Sequence, residues 1–180
     1  MPVKIYIIGA GKKDEEEEDI GEDDRGYDDN TKIQNVNKHI GAGHHTYIFV
    51  FMDGCGPCNS TKPNWRNFAK QYKSTNANNS EKNIMIVRIN KDLFGKLKGA
   101  GEEPGGFPTL RHVSNKTSSE YEKQMGNGAD RSVDSFNNWV TTTIAGQNGG
   151  RIRKSRKRKT RKTRSKKSKS KKSKSKRSKR

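Results

Sequence analysis

Tyr47-Ile48-Phe49-Val50-Phe51-Met52-Asp53-Gly54-Cys55-Gly56-Pro57-Cys58 sets the chain's only two cysteines directly after its longest apolar run. The run from Tyr47 to Met52 has no polar alternation, which is the pattern of a strand covered on both faces. Asp53-Gly54 ends it. Past Pro57 the period changes: Trp65, Phe68, Ala69 and Tyr72 recur at i, i+3, i+4 and i+7, an apolar stripe that a helix buries. Pro63 is expected to kink that helix. The cysteine pair therefore falls between the C-terminal end of a buried strand and the N-terminus of an amphipathic helix, the setting in which a lone C-x-x-C reads as a redox motif.

Such a junction has chemical consequences. Unpaired amides in the first helical turn, with the positive end of the helix dipole, favour a thiolate and lower a cysteine pKa toward ~7. Cys55, at the exposed edge, reads as the nucleophile, and Cys58, one turn in, as the resolving thiol. Pro57 suits the first turn because it needs no donor there and its φ is already set. The expected reaction is exchange: Cys55 attacks a substrate disulfide, and Cys58 then displaces the substrate by closing a Cys55–Cys58 bond. The competing reading is half of a four-ligand zinc site or an incidental buried pair. His39, His44, His45 and His112 match no zinc spacing and read as ordinary polar side chains, so no metal and no cofactor is expected.

Outward from this centre, Ile84 to Ile89 supplies a second buried strand reached by a helical crossover, with polar residues 74–82 as a loop, which makes a βαβ unit. After a glycine-rich stretch at 99–106, Thr109 to Val113 reads as a strand, paired in an antiparallel hairpin with Ser119 to Met125. A last helix starts near Asp130 or Ser132 with Val133, Phe136, Val140 and Ile144 as its apolar face. On the N-terminal side, Ile33, Val36 and Ile40 mark a short helix closed by Gly41-Ala42-Gly43. Residues 1–11, with the run Ile5 to Ile8, are a candidate first strand. That run is too short for a signal-peptide core or a membrane span, and no transmembrane segment is expected. Gly9-Ala10-Gly11-Lys12 lacks the phosphate-loop spacing.

Charge divides the chain. Residues 12–30 carry 11 acids, and 12–31 reads as a disordered acidic segment. Residues 151–180 hold 20 of the 39 Lys and Arg and no acid, which leaves 19 basic and 20 acidic side chains in the remainder. The tail alternates Lys/Arg with Ser/Thr around one apolar residue, Ile152, and cannot form a core. Arg151, Arg153, Lys154, Arg156, Lys157, Arg158 and Lys159, with the rest of the tail, suit non-specific phosphate contact with nucleic acid by counterion release. With no aromatic residue, the tail cannot stack on bases. Nuclear import is the alternative use of such clusters. The expected division is a folded domain over 32–146, with 147–180 as linker and polybasic disordered tail.

The segment Phe51 to Cys58, with Pro63 and Trp65 downstream, resembles the active-site segment of thioredoxins and protein disulfide isomerase domains. Gly106-Phe107-Pro108-Thr109-Leu110 resembles the second signature of that superfamily. The resemblance covers about residues 32–146. It implies an α/β, thioredoxin-like fold: a central mixed sheet flanked by helices. It further implies a cis Phe107–Pro108 bond, Pro108 packed beside the sulfurs, and a substrate chain bound by Phe107, Pro108, Gly56 and Pro57. Three positions depart from the family. Gly54 stands where most relatives have Trp, Phe49 where thioredoxins bury an Asp, and Arg88 where a Lys partners that Asp. Gly56-Pro57 is similar to reducing thioredoxins, whereas Pro63-x-Trp65 and Gly-Phe-Pro-Thr are similar to the isomerase branch, so the direction of electron flow stays open.

The implied activity is that of a thiol–disulfide oxidoreductase in electron transport and cell redox homeostasis, acting as a monomer on protein disulfides or dithiols. Its expected place is the cytoplasm or nucleus rather than the secreted milieu. The Lys/Ser tail is similar to those on proteins of giant DNA viruses, which would place the chain in a virion with the genome. The alternative is a non-catalytic nucleic-acid-binding or packaging protein built on the same scaffold.

Overall fold

Strand β2, His45–Phe51, is buried from Thr46 to Phe51, as an apolar run without alternation requires of a central strand. The computed structural model describes residues 3–9, 26–76, 83–126 and 129–148. Around β2 stand β1 (Lys4–Ile8), β3 (Ile84–Asn90), β4 (Thr109–Ser114) and β5 (Thr117–Glu120), in the sheet order β1-β3-β2-β4-β5. Strands β1 and β2 run parallel to β3, β4 runs antiparallel to β2, and β5 antiparallel to β4. Among the described residues five helices accompany them: α1 (Asp29–Gly41), α2 (Gly56–Thr75), α3 (Lys91–Phe94), α4 (Tyr121–Met125) and α5 (Val133–Asn148).

The period of two along β2 sorts its side chains into two cores. Tyr47, Phe49 and Phe51 face a cluster built with Trp65 and Phe68 of α2, Tyr121 of α4, and Phe136 and Trp139 of α5. Ile48 and Val50 face a second cluster with Ile33, Val36 and Ile40 of α1. The sheet is thus covered on both faces, and the β2–α2–β3 crossover is the βαβ unit expected from the sequence. Helix α2 runs as one element from Gly56 to Thr75 with Pro63 inside it.

Several boundaries differ from the sequence reading. The sheet takes in β1, which pairs with β3 along Lys4 to Ile8, so the folded unit includes residues N-terminal to the acidic segment. Helix α1 opens at Asp29, inside the stretch 12–31 read as acidic and disordered, because the Asp28 carboxylate accepts a hydrogen bond from the Thr31 amide at 3.0 Å and caps the first turn. Residues 10–25 lie outside the described residues, as does the tail. The segment 119–125 is not one strand: β5 ends at Glu120 and Tyr121 begins α4. Burial of Tyr121 decides the change, since its ring packs against Phe136 and Trp139 and its hydroxyl meets Ser135 Oγ at 2.6 Å. The short α3 was not foreseen. It is nucleated by Asn90, whose side chain accepts a hydrogen bond from the Asp92 amide. Helix α5 extends to Asn148, two residues past the expected end of the domain.

The end of the sheet where β2 begins holds the histidines. His45 Nδ1 and His112 Nε2 are 3.0 Å apart, and His112 also stacks on Tyr47. Burial pushes both His39 and His112 down to about 4. The unfolded chain therefore binds protons below about pH 6.5 that the folded chain refuses, so their contribution is complete above pH 6.5 and is lost as pH falls toward 4. The urea midpoint is expected to drop between pH 7.5 and pH 5, and His112→Gln should flatten that slope. An unchanged midpoint across the interval would contradict this account.

Candidate active site

Cys55 follows the C-terminal end of β2 and is the N-cap of α2, with extended backbone at φ −78° and ψ 109°. Its Sγ accepts a hydrogen bond from the Cys58 amide at 3.1 Å, and its carbonyl accepts one from Asn59 at 3.0 Å. The sulfur thus occupies the place where a capping oxygen usually satisfies a free amide. Pro57 lies in the first turn, which contains no acidic residue. Cys55 and Cys58 are joined as a disulfide with Cα atoms 5.2 Å apart. Their exposures differ: Cys55 is 8% exposed and Cys58 is fully buried, so an incoming group can reach only Cys55.

On the other side of the sulfurs the Phe107–Pro108 bond is cis, and the Phe107 carbonyl oxygen lies 3.7 Å from Cys55 Sγ. Pro108 is buried and Phe107 half-buried, and Gly56 and Pro57 stand exposed at the start of α2. Cys55, Cys58, Gly56, Pro57, Phe107 and Pro108 are therefore gathered at one end of the sheet, opposite the histidines. The tail residues Arg151, Arg153, Lys154, Arg156, Lys157, Arg158 and Lys159 lie outside the described residues.

Phe49 is fully buried among Phe51 and Trp65, so the position where the resembled family keeps an acid is hydrocarbon. Arg88, paired with Phe49 in the sheet register, instead sets its guanidinium over the Phe51 ring at 5.3 Å, a cation–π contact. One residue of the site's surroundings has no role in the sequence reading. Asn90, 6% exposed at the end of β3, donates from Nδ2 to Asp53 Oδ2 at 3.1 Å while capping α3. It ties the loop carrying Cys55 to the neighbouring strand. Its signal was present, since Asn followed two residues later by an acid just after an apolar run is a helix-start pattern. Among the described residues no group of three or more His, Cys, Asp or Glu is placed to hold a metal ion.

A cysteine pair at a strand-to-helix junction, a cis proline beside it, and a mixed five-stranded sheet flanked by helices define a thioredoxin-like fold with a disulfide-forming C-x-x-C pair. No protein-family model matches the chain, and no curated protein matches it by sequence. Solved structures similar to it include the J-Trx1 fragment of ERdj5, at 21% identity and TM-score 0.46 over 62% of this chain and 49% of that one. The first thioredoxin domain of mouse Protein disulfide-isomerase A4 is similar at 15% identity and TM-score 0.43 over 65% and 72% of the two chains. Spinach chloroplast thioredoxin F in its long form is similar at 14% identity and TM-score 0.41 over 80% and 87%. The matched region spans about half of the ERdj5 fragment and 30% of human ERp44 in its zinc-bound form.

Proposed function

We propose that the protein is a thiol–disulfide oxidoreductase in which Cys55 attacks and Cys58 resolves. The observation that carries this reading is the hydrogen bond from the Cys58 amide to Cys55 Sγ at the start of α2. In the reduced chain that donor and the helix dipole stabilise a thiolate at Cys55. The thiolate attacks one sulfur of a substrate disulfide, the substrate S–S bond breaks, and one substrate thiolate leaves. Cys58, having lost its proton, then attacks Cys55 Sγ in the mixed disulfide and releases the second thiolate. Two electrons pass to the substrate, and an external dithiol must restore the pair. With Phe49 in the core, the Cys58 proton leaves through water instead of a buried carboxylate. Phe107, Pro108, Gly56 and Pro57 border the path by which the partner approaches. In the test, full-length protein with dithiothreitol should reduce insulin disulfides, and Cys58→Ser should accumulate a mixed disulfide through Cys55. Folded, reduced protein without turnover would reject the reading.

For the tail we propose non-specific contact with nucleic acid, supported by its 20 cationic side chains without an acid. Deleting residues 151–180 should abolish DNA binding near physiological salt and remove a slope of log K against log salt that reaches roughly −9 if about ten phosphates are neutralised. Unchanged affinity and slope would refute that role. Nuclear or virion placement follows from it as a further proposal. The second reading, a packaging protein on a non-catalytic scaffold, draws on Phe49 at the position of the family acid. No helix among the described residues is long and apolar enough to cross a membrane.

A further inference from the structure

Arg111 carries its charge into hydrocarbon. It stands on β4 three residues past Pro108 and is 6% exposed. The period of two along β4 puts it on the face of Val113, and its guanidinium lies over the Phe94 ring at 5.2 Å. Phe94, Ala100 and Val113 belong to the core cluster shared with α1. An apolar side chain would suit such a place, since burying a charge is seldom a gain in stability over well-packed hydrocarbon. What hydrocarbon cannot do is donate. Arg111 Nη1 donates to the Ala100 carbonyl at 3.1 Å and also to the Glu102 carbonyl, and Nη2 lies 3.7 Å from Glu120 Oε1 on β5. Between the two carbonyls sits Gly101 at φ +93°, where a Cβ would stand 3.1 Å from Nη1 and 2.5 Å from Ser118 Oγ. The chain is drawn tightly around the guanidinium, and only glycine fits that turn.

This clamp fixes the segment that delivers Phe107. Ahead of it, Asn37 of α1 donates to the Lys96 carbonyl at 3.1 Å and accepts from the Lys98 amide at 2.7 Å, while Leu97 and Ala100 are buried. Beyond Glu102 the chain runs through residues 103–106, mostly exposed, to Phe107. Arg111 belongs to the strand that follows Pro108 and is bonded to the stretch that precedes Phe107, so its side chain closes residues 102–111 into a loop. Within that loop is the Phe107 carbonyl oxygen, 3.7 Å from Cys55 Sγ. We propose that Arg111 is a positioning residue for disulfide exchange: by holding the Ala100 and Glu102 carbonyls it sets where Phe107 and Pro108 stand against Cys55, and so the path along which a partner disulfide reaches the sulfur. This rests on the exchange reading above. The acidity of Cys55, set by the start of α2, does not depend on it.

Arg111→Met and Arg111→Lys are made in the full chain and checked for folding by circular dichroism. Two reactions are then compared: reduction of insulin disulfides with dithiothreitol, which uses the loop, and alkylation of Cys55 by iodoacetamide in the Cys58→Ser background, which uses only the ionised sulfur. In Arg111→Met, kcat/KM for insulin is expected to fall about 10- to 100-fold, the scale of a misplacement of about 1 Å, with the pH midpoint of alkylation unchanged. Arg111→Lys, a point donor without the planar fork, should lose less. Glu120→Gln leaves both carbonyl bonds in place and should exchange as wild type does. Wild-type exchange in folded Arg111→Met, or an alkylation midpoint that shifts along with the loss, would overturn the proposal. Should Arg111→Met not fold, folded Arg111→Lys decides: exchange equal to wild type would overturn the proposal, and a selective loss of exchange supports it. An inactive wild type would remove the exchange reading and this one with it, a result distinct from variants that equal an active parent.

Discussion

Cys55→Ser is expected to return disulfide reduction by the full chain to the uncatalysed rate, a loss on the order of a thousandfold or more, as when an enzyme's nucleophile is removed. Serine can still cap α2, because its oxygen can accept the Cys58 amide that Cys55 Sγ accepts here. The fold should therefore survive, with an unfolding midpoint close to that of the reduced wild type. What is lost is acidity: a hydroxyl at this helix start does not ionise near neutral pH as a thiol does. Cys58→Ser gives the contrasting result, since Cys55 still attacks and the reaction stops at the mixed disulfide. Rates measured with dithiothreitol and insulin separate the two variants, and residual turnover in Cys55→Ser above background would place the nucleophile elsewhere.

Trp139→Ala is expected to cost about 3–5 kcal/mol of stability, the usual range for removing a buried aromatic. Trp139 is fully buried, meets Tyr47 and Tyr121 edge-on with ring centroids at 5.0 Å, and donates from Nε1 to Gln124 Oε1 at 2.5 Å. It joins β2, α4 and α5 in one cluster, so its removal leaves a cavity and strips the Gln124 carbonyl of its donor. A domain of this size is stable by about 5–15 kcal/mol, and the variant should be marginal. Urea denaturation followed by far-UV circular dichroism measures the shift. A loss below about 1 kcal/mol would mean that this face of the sheet is held by other contacts.

How legible the site was depends on distance along the chain. Cys55 and Cys58 could be placed because strand, turn and helix follow one another within thirty residues, each marked by its own period. The second half, Phe107 and Pro108, comes from the bend that leads into β4, some fifty residues away, and only the family resemblance joined it to the cysteines. Tyr121 shows why part of the fold was misread. In Ser-Ser-Glu-Tyr-Glu a lone aromatic fits a strand or the start of a helix equally well, and the choice is made by Phe136 and Trp139, which sit on α5. Strand β1 illustrates the same limit. Its four-residue apolar run was visible, but its partner β3 lies across the acidic segment, and nothing local reveals that pairing. Asn90 was legible as a helix cap and illegible as a tether, because Asp53 reaches it only through the register of β2 on β3.

The central claim is that the helix start beneath Cys55 makes its sulfur acidic. The most direct measurement is the rate of Cys55 alkylation by iodoacetamide across pH 5–10 in reduced, full-length Cys58→Ser protein. The account predicts a midpoint near pH ~7, well below the ~8.5 of a free thiol. A midpoint at or above that of a free thiol would contradict it, since neither the amide of residue 58 nor the α2 dipole would then be stabilising a thiolate.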